Sequence, residues 1–198
     1  PQFGRQRGFA GILEDFRARH GGAAQPELHA TSFVIASETA RQQMDDNCLY
    51  GLGWMGSDWW REAEAGGLIE IGNHSWNHNN PACAERDDDR GRFDHVADIE
   101  SCRRQVTEAG RAIATLTGRW PRLFAYPYGD ASEYLRNRYL PESADEHGLC
   151  AAFDTGARFV SRVDSPWSIP RLVHGADWRS PAEFQALLGE LRAPASTA

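Results

Sequence analysis

The chain reads as an α/β protein with a largely parallel sheet. Three observations carry that reading. Short β-rich apolar runs alternate with helix-patterned stretches. The clearest helix, Phe93 to Thr117, repeats its apolar side chains at steps of three and four. Polar residues gather just past several of the apolar runs, at His74 and His78, at Tyr128 and at His174. In parallel α/β folds and barrels, the carboxyl ends of the strands are where sites are built.

Each element follows from its pattern. Residues 5–19 form a helix with Phe9, Ile12, Leu13 and Phe16 on one face, ended by Gly21-Gly22. His29 to Ala36 is β-rich and reads as a buried strand. Residues 37–56 are irregular and Gly-spaced, with a short helix at Glu38 to Met44. Asp58 to Ala65 is a helix with Ser57 as its N-cap, stopped by Gly66-Gly67. Leu68 to Gly72 is the second strand. In the long helix, Val96, Ile99, Cys102, Val106, Ala109, Ile113 and Leu116 make one apolar stripe that ends at Gly118. Leu123 to Tyr126 is a third strand and is followed by a helix capped by Ser132. Ala151 to Phe153 is a fourth strand and Ile169 to Val173 a fifth. The last helix, Ala182 to Leu191, has Pro181 at its first turn. Residues 1–192 are read as one domain and 193–198 as a flexible tail.

Bulk composition narrows the function. At 198 residues the chain can bury a substantial core. A net charge of -7 excludes a general nucleic-acid binder, which needs a basic footprint. Lysine is absent, which is read as codon bias. No apolar run is long enough to span a membrane, and residues 1–20 lack the pattern of a signal peptide. The chain opens at Pro1 without Met and is read as a fragment or a processed product. Cys48, Cys83, Cys102 and Cys150 show no CxxC pairing, which argues against structural zinc. Free thiols and two disulfides both stay open. The acidic run after Cys83 reads as a solvated loop.

The chemistry concentrates in Leu68 to Pro81, LIEIGNHSWNHNNP. An apolar run ends in His74 and His78, four residues apart, before an Asn-Asn-Pro break. On a helical turn that spacing turns both imidazoles one way, and neutral imidazole is a ligand for zinc, cobalt or nickel. The bland alternative is a pair of surface or capping histidines. HExxH would place Glu where Ser75 stands, so that class of protease is excluded. No GxSxG, P-loop or GxGxxG occurs, so serine hydrolase, NTPase and dinucleotide readings gain nothing. Asn73-His74-Ser75 matches a glycosylation sequon by chance. His174 and the Tyr126-Pro127-Tyr128-Gly129 turn gain meaning only beside the histidine pair.

With these motifs in order, the chain resembles the polysaccharide deacetylase family, carbohydrate esterase family 4. Ala30-Thr-Ser-Phe-Val-Ile35 resembles the family's second strand. Glu70 to His78 resembles its metal motif, Phe124 to Gly129 its PYG motif, and Leu172-Val-His174 its final L-x-H motif. The resemblance implies a distorted (β/α) barrel of about seven strands, with its first strand lacking from this chain. It implies metal-dependent removal of acetyl groups from an N- or O-acetylated carbohydrate. A small-molecule amide on the same fold, or a non-catalytic carbohydrate-binding or interaction domain, are the alternatives. It assigns His74 and His78 as ligands of a divalent metal, zinc first and cobalt or nickel next. His174 becomes the general acid, the Tyr128 amide the oxyanion donor, and Leu172 an apolar wall for the acetyl methyl. Asp164 or Asp154 becomes the partner of His174. For compartment, the resemblance leans to the cell envelope.

Two departures accompany the resemblance. The family's Asp-Asp motif, which supplies one metal ligand and the general base, is absent from this sequence. Asp45-Asp46 follows the wrong strand to replace it, and Asp15 lies in the first helix. Ala125 also stands where the family's third motif usually carries Arg.

Overall fold

The structure is a computed structural model, and it describes residues 8–84 and 91–190. Four parallel strands form one sheet in the order β1-β2-β3-β4. They are β1 (Ala30–Val34), β2 (Ile69–Asn73), β3 (Leu123–Ala125) and β4 (Ala151–Phe153). β1 and β2 pair along their full lengths, from Ala30 opposite Ile69 to Val34 opposite Asn73. Gly72 faces Phe33 in that register, and a Cβ there would come within 2.6 Å of the Phe33 ring. Among the described residues the sheet has four strands, against the seven or so of the family barrel.

Helices connect the strands. They are α1 (Phe9–His20), α2 (Glu38–Cys48), α3 (Trp60–Gly66), α4 (Ile99–Cys102), α5 (Ala109–Thr117), α6 (Leu140–Glu142), α7 (Ala144–His147) and α8 (Pro181–Glu190). α4 and α5 are joined by a π-helical stretch, Arg103–Glu108, into one continuous rod. Its stripe of Val106, Ala109 and Ile113 is buried against the sheet, while Ile99 and Leu116 at its ends are exposed. Among the described residues, two of three apolar clusters take in this rod. One gathers Val34, Trp60, Ile71 and Ile113; the other gathers Phe93, Val106, Phe124, Tyr126 and Tyr139.

Several local expectations are corrected. The long helix begins at Ile99, not Phe93, because Asp98 caps it by accepting from the amides of Glu100 and Ser101. Phe93–His95 is a separate 3-10 turn. α2 runs one turn beyond Met44, with the Ser37 hydroxyl accepting from Ala40 N. Ser57 does not cap α3, whose N-cap position is Trp59. Ser132 does cap its helix, accepting from Leu135 N at 3.0 Å. α1 forms over Phe9–His20 but buries none of its residues, and residues 5–7 of the expected helix lie outside the described residues.

Ile169 to Val173 is not a strand. Ile169 alone bridges to Phe153, and Pro170 then removes the next ladder donor. None of the four cysteines is in a disulfide. Cys83 and Cys102 are buried and donate weakly to backbone carbonyls. Leu191, the tail 193–198 and the acidic residues 85–90 lie outside the described residues.

Candidate metal centre

β2 ends in Asn73, which is fully buried. Its Nδ2 donates to the Val106 carbonyl at 2.9 Å, and its Oδ1 accepts from Ser75 N at 2.9 Å. No sugar can reach an amide so enclosed, which disposes of the sequon. His74 follows and continues the ladder, its amide donating to Val34 O at 2.9 Å. The His74 Nδ1 lies 2.7 Å from the Ala125 carbonyl. A carbonyl only accepts, so Nδ1 carries the proton and Nε2 keeps its lone pair for a ligand role.

Beyond His74 the chain makes a strained loop, not the helical turn that the spacing suggested. Ser75, His78 and Asn79 all have positive φ, at 74°, 61° and 44°. Such conformations are uncommon outside glycine and persist where the surroundings impose them. Here the surroundings are polar and buried. His78 N donates to Ser75 Oγ at 2.8 Å, and Asn79 N donates to Asn77 Oδ1 at 2.9 Å. Gln105, on the π-helical stretch and wholly buried, accepts from Trp76 N at 3.1 Å. Its Nε2 donates to Asn77 Oδ1 at 2.8 Å.

This backbone path brings the His78 ring to 4.8 Å from His74 and 4.4 Å from Tyr128, both edge-to-face. His78 Nδ1 is buried and has no hydrogen-bond partner. Burial pushes the His74 pKa down to about 4, helped by the positive charge of Arg171 and opposed by the Ala125 bond. Burial first, then His74, pushes His78 down to about 3. Both rings are therefore neutral near pH 7, the form that ligates metals. A neutral pair with an orphaned, buried ring nitrogen fits a divalent metal. Among the described residues no group of three or more His, Cys, Asp or Glu gathers to hold one. The site thus offers two candidate histidine ligands, where a catalytic zinc takes three protein ligands.

Tyr128 joins this site. It adopts φ 58° within the Pro127–Gly129 turn, and its hydroxyl accepts from Asn80 Nδ2 at 3.1 Å. Gly129 has φ 78°, and a Cβ there would collide with the Thr155 side chain. His174 is exposed, and its ring packs on Trp178 at 4.5 Å. Among the described residues, no hydrogen bond or ring contact joins His174 to His74, His78 or Tyr128. Leu172 is half-buried. Asp164 does not serve His174: both its oxygens accept from Arg158, at 2.8 and 2.7 Å, and one also from Ser161 N. Asp154 is bound to Ser168 Oγ and Gly156 N. Asp45, which the sequence already set aside, is buried and accepts from the amides of Gly53 and Trp54.

Three site residues escaped the sequence reading. Gln105 had a signal, since a polar side chain three residues after Cys102 interrupts the apolar stripe. Arg171 reaches over the Phe33 ring at 5.8 Å, with Nε donating to Asp154 O at 3.0 Å. Arg41 borders a cavity of about 250 Å³ that His74 and His78 also line. Neither arginine carries a motif.

Among curated proteins, none matches the sequence. Two of the solved structures that match show the shared fold. IcaB from Ammonifex degensii is 17% identical, with a TM-score of 0.59 over 91% of this chain and 66% of its own. BA0330 from Bacillus anthracis, whose description names a polysaccharide deacetylase, is 13% identical. Its TM-score is 0.52 over 87% of this chain and 47% of its own. The chain thus spans about half to two thirds of the length of the structures it matches. A family model for polysaccharide deacetylases matches residues 24–149, which include His74, His78 and Tyr128 and stop short of Leu172 and His174. With well over half of its length matched, the chain belongs to the polysaccharide deacetylase family.

Proposed function

We propose that the chain is the deacetylase portion of a metal-dependent hydrolase that removes acetyl groups from an N- or O-acetylated carbohydrate. One observation carries the reading: two neutral histidines, one with an orphaned nitrogen, converge at the end of β2 beside the PYG turn. A divalent metal, zinc before cobalt or nickel, would polarise the acetyl carbonyl and acidify a bound water. The residues of this chain have their own tasks. The Ala125 carbonyl fixes the His74 tautomer. The Tyr128 amide, presented by a positive-φ turn, donates to the developing oxyanion. Leu172 walls the acetyl methyl, and His174 gives a proton to the leaving group.

Acetate release from acetylated oligosaccharides, with and without a chelator, tests the reading. Because the Asp-Asp pair is missing from the sequence, release is expected to be slow and abolished by the chelator. His74→Ala should lose both release and bound zinc measured by elemental analysis. His174→Ala should keep the zinc and lose most of the release. Release indifferent to the chelator, or zinc retained by His74→Ala, would remove the metal from the reading. A non-catalytic carbohydrate-binding domain is the second reading, favoured by the want of an acidic ligand among the described residues. Saturable oligosaccharide binding with no acetate released would select it.

A further inference from the structure

The Gly-spaced stretch after α2 folds into a loop that the deacetylase reading does not use. Its exposed side chains are large and apolar: Tyr50 is 93% exposed, Leu52 52% and Trp54 46%. Gly51, Gly53 and Gly56 would let the backbone turn these side chains inward. One buried residue holds them out instead. Asp45, in the last turn of α2 and 3% exposed, accepts from Gly53 N through Oδ2 at 2.8 Å and from Trp54 N through Oδ1 at 3.0 Å. Its carbonyl accepts from Leu49 N at 3.0 Å and from Gly51 N at 2.9 Å. Met55 anchors the far side by packing against the cluster of Ile35, Ala40 and Cys83. Between these anchors Tyr50 takes φ 59°, an uncommon conformation for a tyrosine. A fixed loop that keeps apolar side chains in water marks a binding surface.

Position and chemistry select the occupant. Trp54 lines the cavity that His74 and His78 also line, so the loop begins at the candidate metal centre. Tyr50 stands four residues earlier, and that length of chain reaches at most about 14 Å. Both aromatic rings are therefore within reach of one extended ligand. Residues 42–60 hold Asp45, Asp46 and Asp58 but no Lys or Arg. Anionic lipid surfaces and nucleic acids call for basic residues and are disfavoured here. Tyr and Trp offer rigid flat faces with a polar tip, and the glycines between them let a ligand approach the backbone. Sugar rings, with apolar C–H faces and a rim of hydroxyls, match both features.

We propose that Tyr50 and Trp54 form a second sugar subsite, which takes the units of a saccharide chain next to the unit whose acetyl group lies at the histidine pair. The proposal rests on the carbohydrate reading of that pair. It adds that chain length, and not the acetylated unit alone, sets affinity, and that a loop outside the histidine, PYG and L-x-H motifs supplies the difference.

The test is titration calorimetry of the full chain with two ladders, N-acetylglucosamine oligomers and acetylated xylo-oligosaccharides, each from monosaccharide to hexasaccharide. In at least one ladder the hexasaccharide should bind about tenfold more tightly than the monosaccharide, or better. Tyr50→Ala should weaken the hexasaccharide about fivefold to tenfold and leave the monosaccharide unchanged, while Tyr50→Phe, which keeps the ring, should bind as the parent does. Trp54→Ala should act in the same direction as Tyr50→Ala. If that variant fails to fold, Tyr50→Ala decides alone, because a side chain 93% exposed carries little packing. No gain with length in either ladder, a Tyr50→Ala chain that keeps the gain, or equal weakening of monosaccharide and hexasaccharide would overturn the proposal. So would Tyr50-dependent sedimentation with phosphatidylcholine vesicles in place of a length preference, which would give the loop to a membrane. Acetate release from the same oligomers separates the two readings. A length preference without release removes the deacetylase reading and keeps the subsite; release without a length preference does the reverse.

Discussion

His74 and His78 show what it costs a fold to keep an imidazole neutral. An imidazole in water takes a proton near pH 6.5, yet in the fold these two hold out to about 4 and 3. In the metal-free protein the unfolded chain therefore binds more protons between those limits, and stability falls as pH falls through that window. Above about pH 6.5 the contribution is intact. Each ring kept neutral costs about 1.4 kcal/mol per pH unit within the window. Urea midpoints of the metal-free chain should thus drop as pH falls from about 6.5 to 5, before most carboxylates titrate. His147 shifts the same way by burial, donating from Nε2 to Leu140 O while Nδ1 accepts from Leu149 N. A variant isolates the pair: His78→Asn should show a shallower drop than the parent. Equal pH slopes would mean that His78 is solvated in the metal-free state. The spacing of the two histidines was legible in the sequence because ligand pairs leave a short local pattern. The positive-φ loop that joins their rings was not, since Ser75, His78 and Asn79 are not glycines and the Gln105 that holds the loop at Trp76 and Asn77 is distant in sequence.

The element behind that loop is the rod from Ile99 to Thr117. A regular α-helix would have turned every side chain after Cys102 by a fixed angle. The wider π-helical turns of Arg103–Glu108 alter that phase and place Gln105 under the loop. π-helical turns are often found at functional sites. Gln105 holds the Trp76 amide and the Asn77 side chain, and the Val106 carbonyl holds Asn73. The rod is thus a clamp on both sides of His74. Gln105→Leu would keep the apolar volume but leave buried polar groups without that partner, at about 1–3 kcal/mol each. The expected outcome is a lower urea midpoint together with weaker zinc binding, since the loop would relax from its positive-φ path. Unchanged zinc affinity in a destabilised variant would show that the clamp supports the fold and not the ligands. Periodicity revealed this helix and its buried stripe plainly. It could not reveal the phase change, because π-helical turns carry no sequence signature of their own.

At the scale of the whole molecule, burial is unevenly shared. Strands β1 to β4, α2, α3 and the long rod were legible because local apolar patterns coincide with their packing. The fifth strand failed where Pro170 broke the ladder, and the pairing of Asp164 failed because Arg158 lies six residues away and competes locally. α1 is the instructive case. Its sequence has an apolar face, and the helix forms, yet Phe9 is 67% exposed and Ile12 56%. Only Leu13 packs partly against the cluster around Ile71 and Ile113. A helix of twelve residues is marginal on its own in water, since most helical stability in proteins comes from tertiary packing. α1 should therefore open locally, without global unfolding, whereas Val106, Ala109 and Ile113 tie the rod to the core. Native-state hydrogen exchange should find α1 amides only weakly protected. Amides of Ala109–Thr117 should approach the protection of global unfolding, orders of magnitude slower. Comparable protection of the two helices in dilute monomer would show that the apolar face of α1 is covered in solution, and the isolated-helix argument would fall.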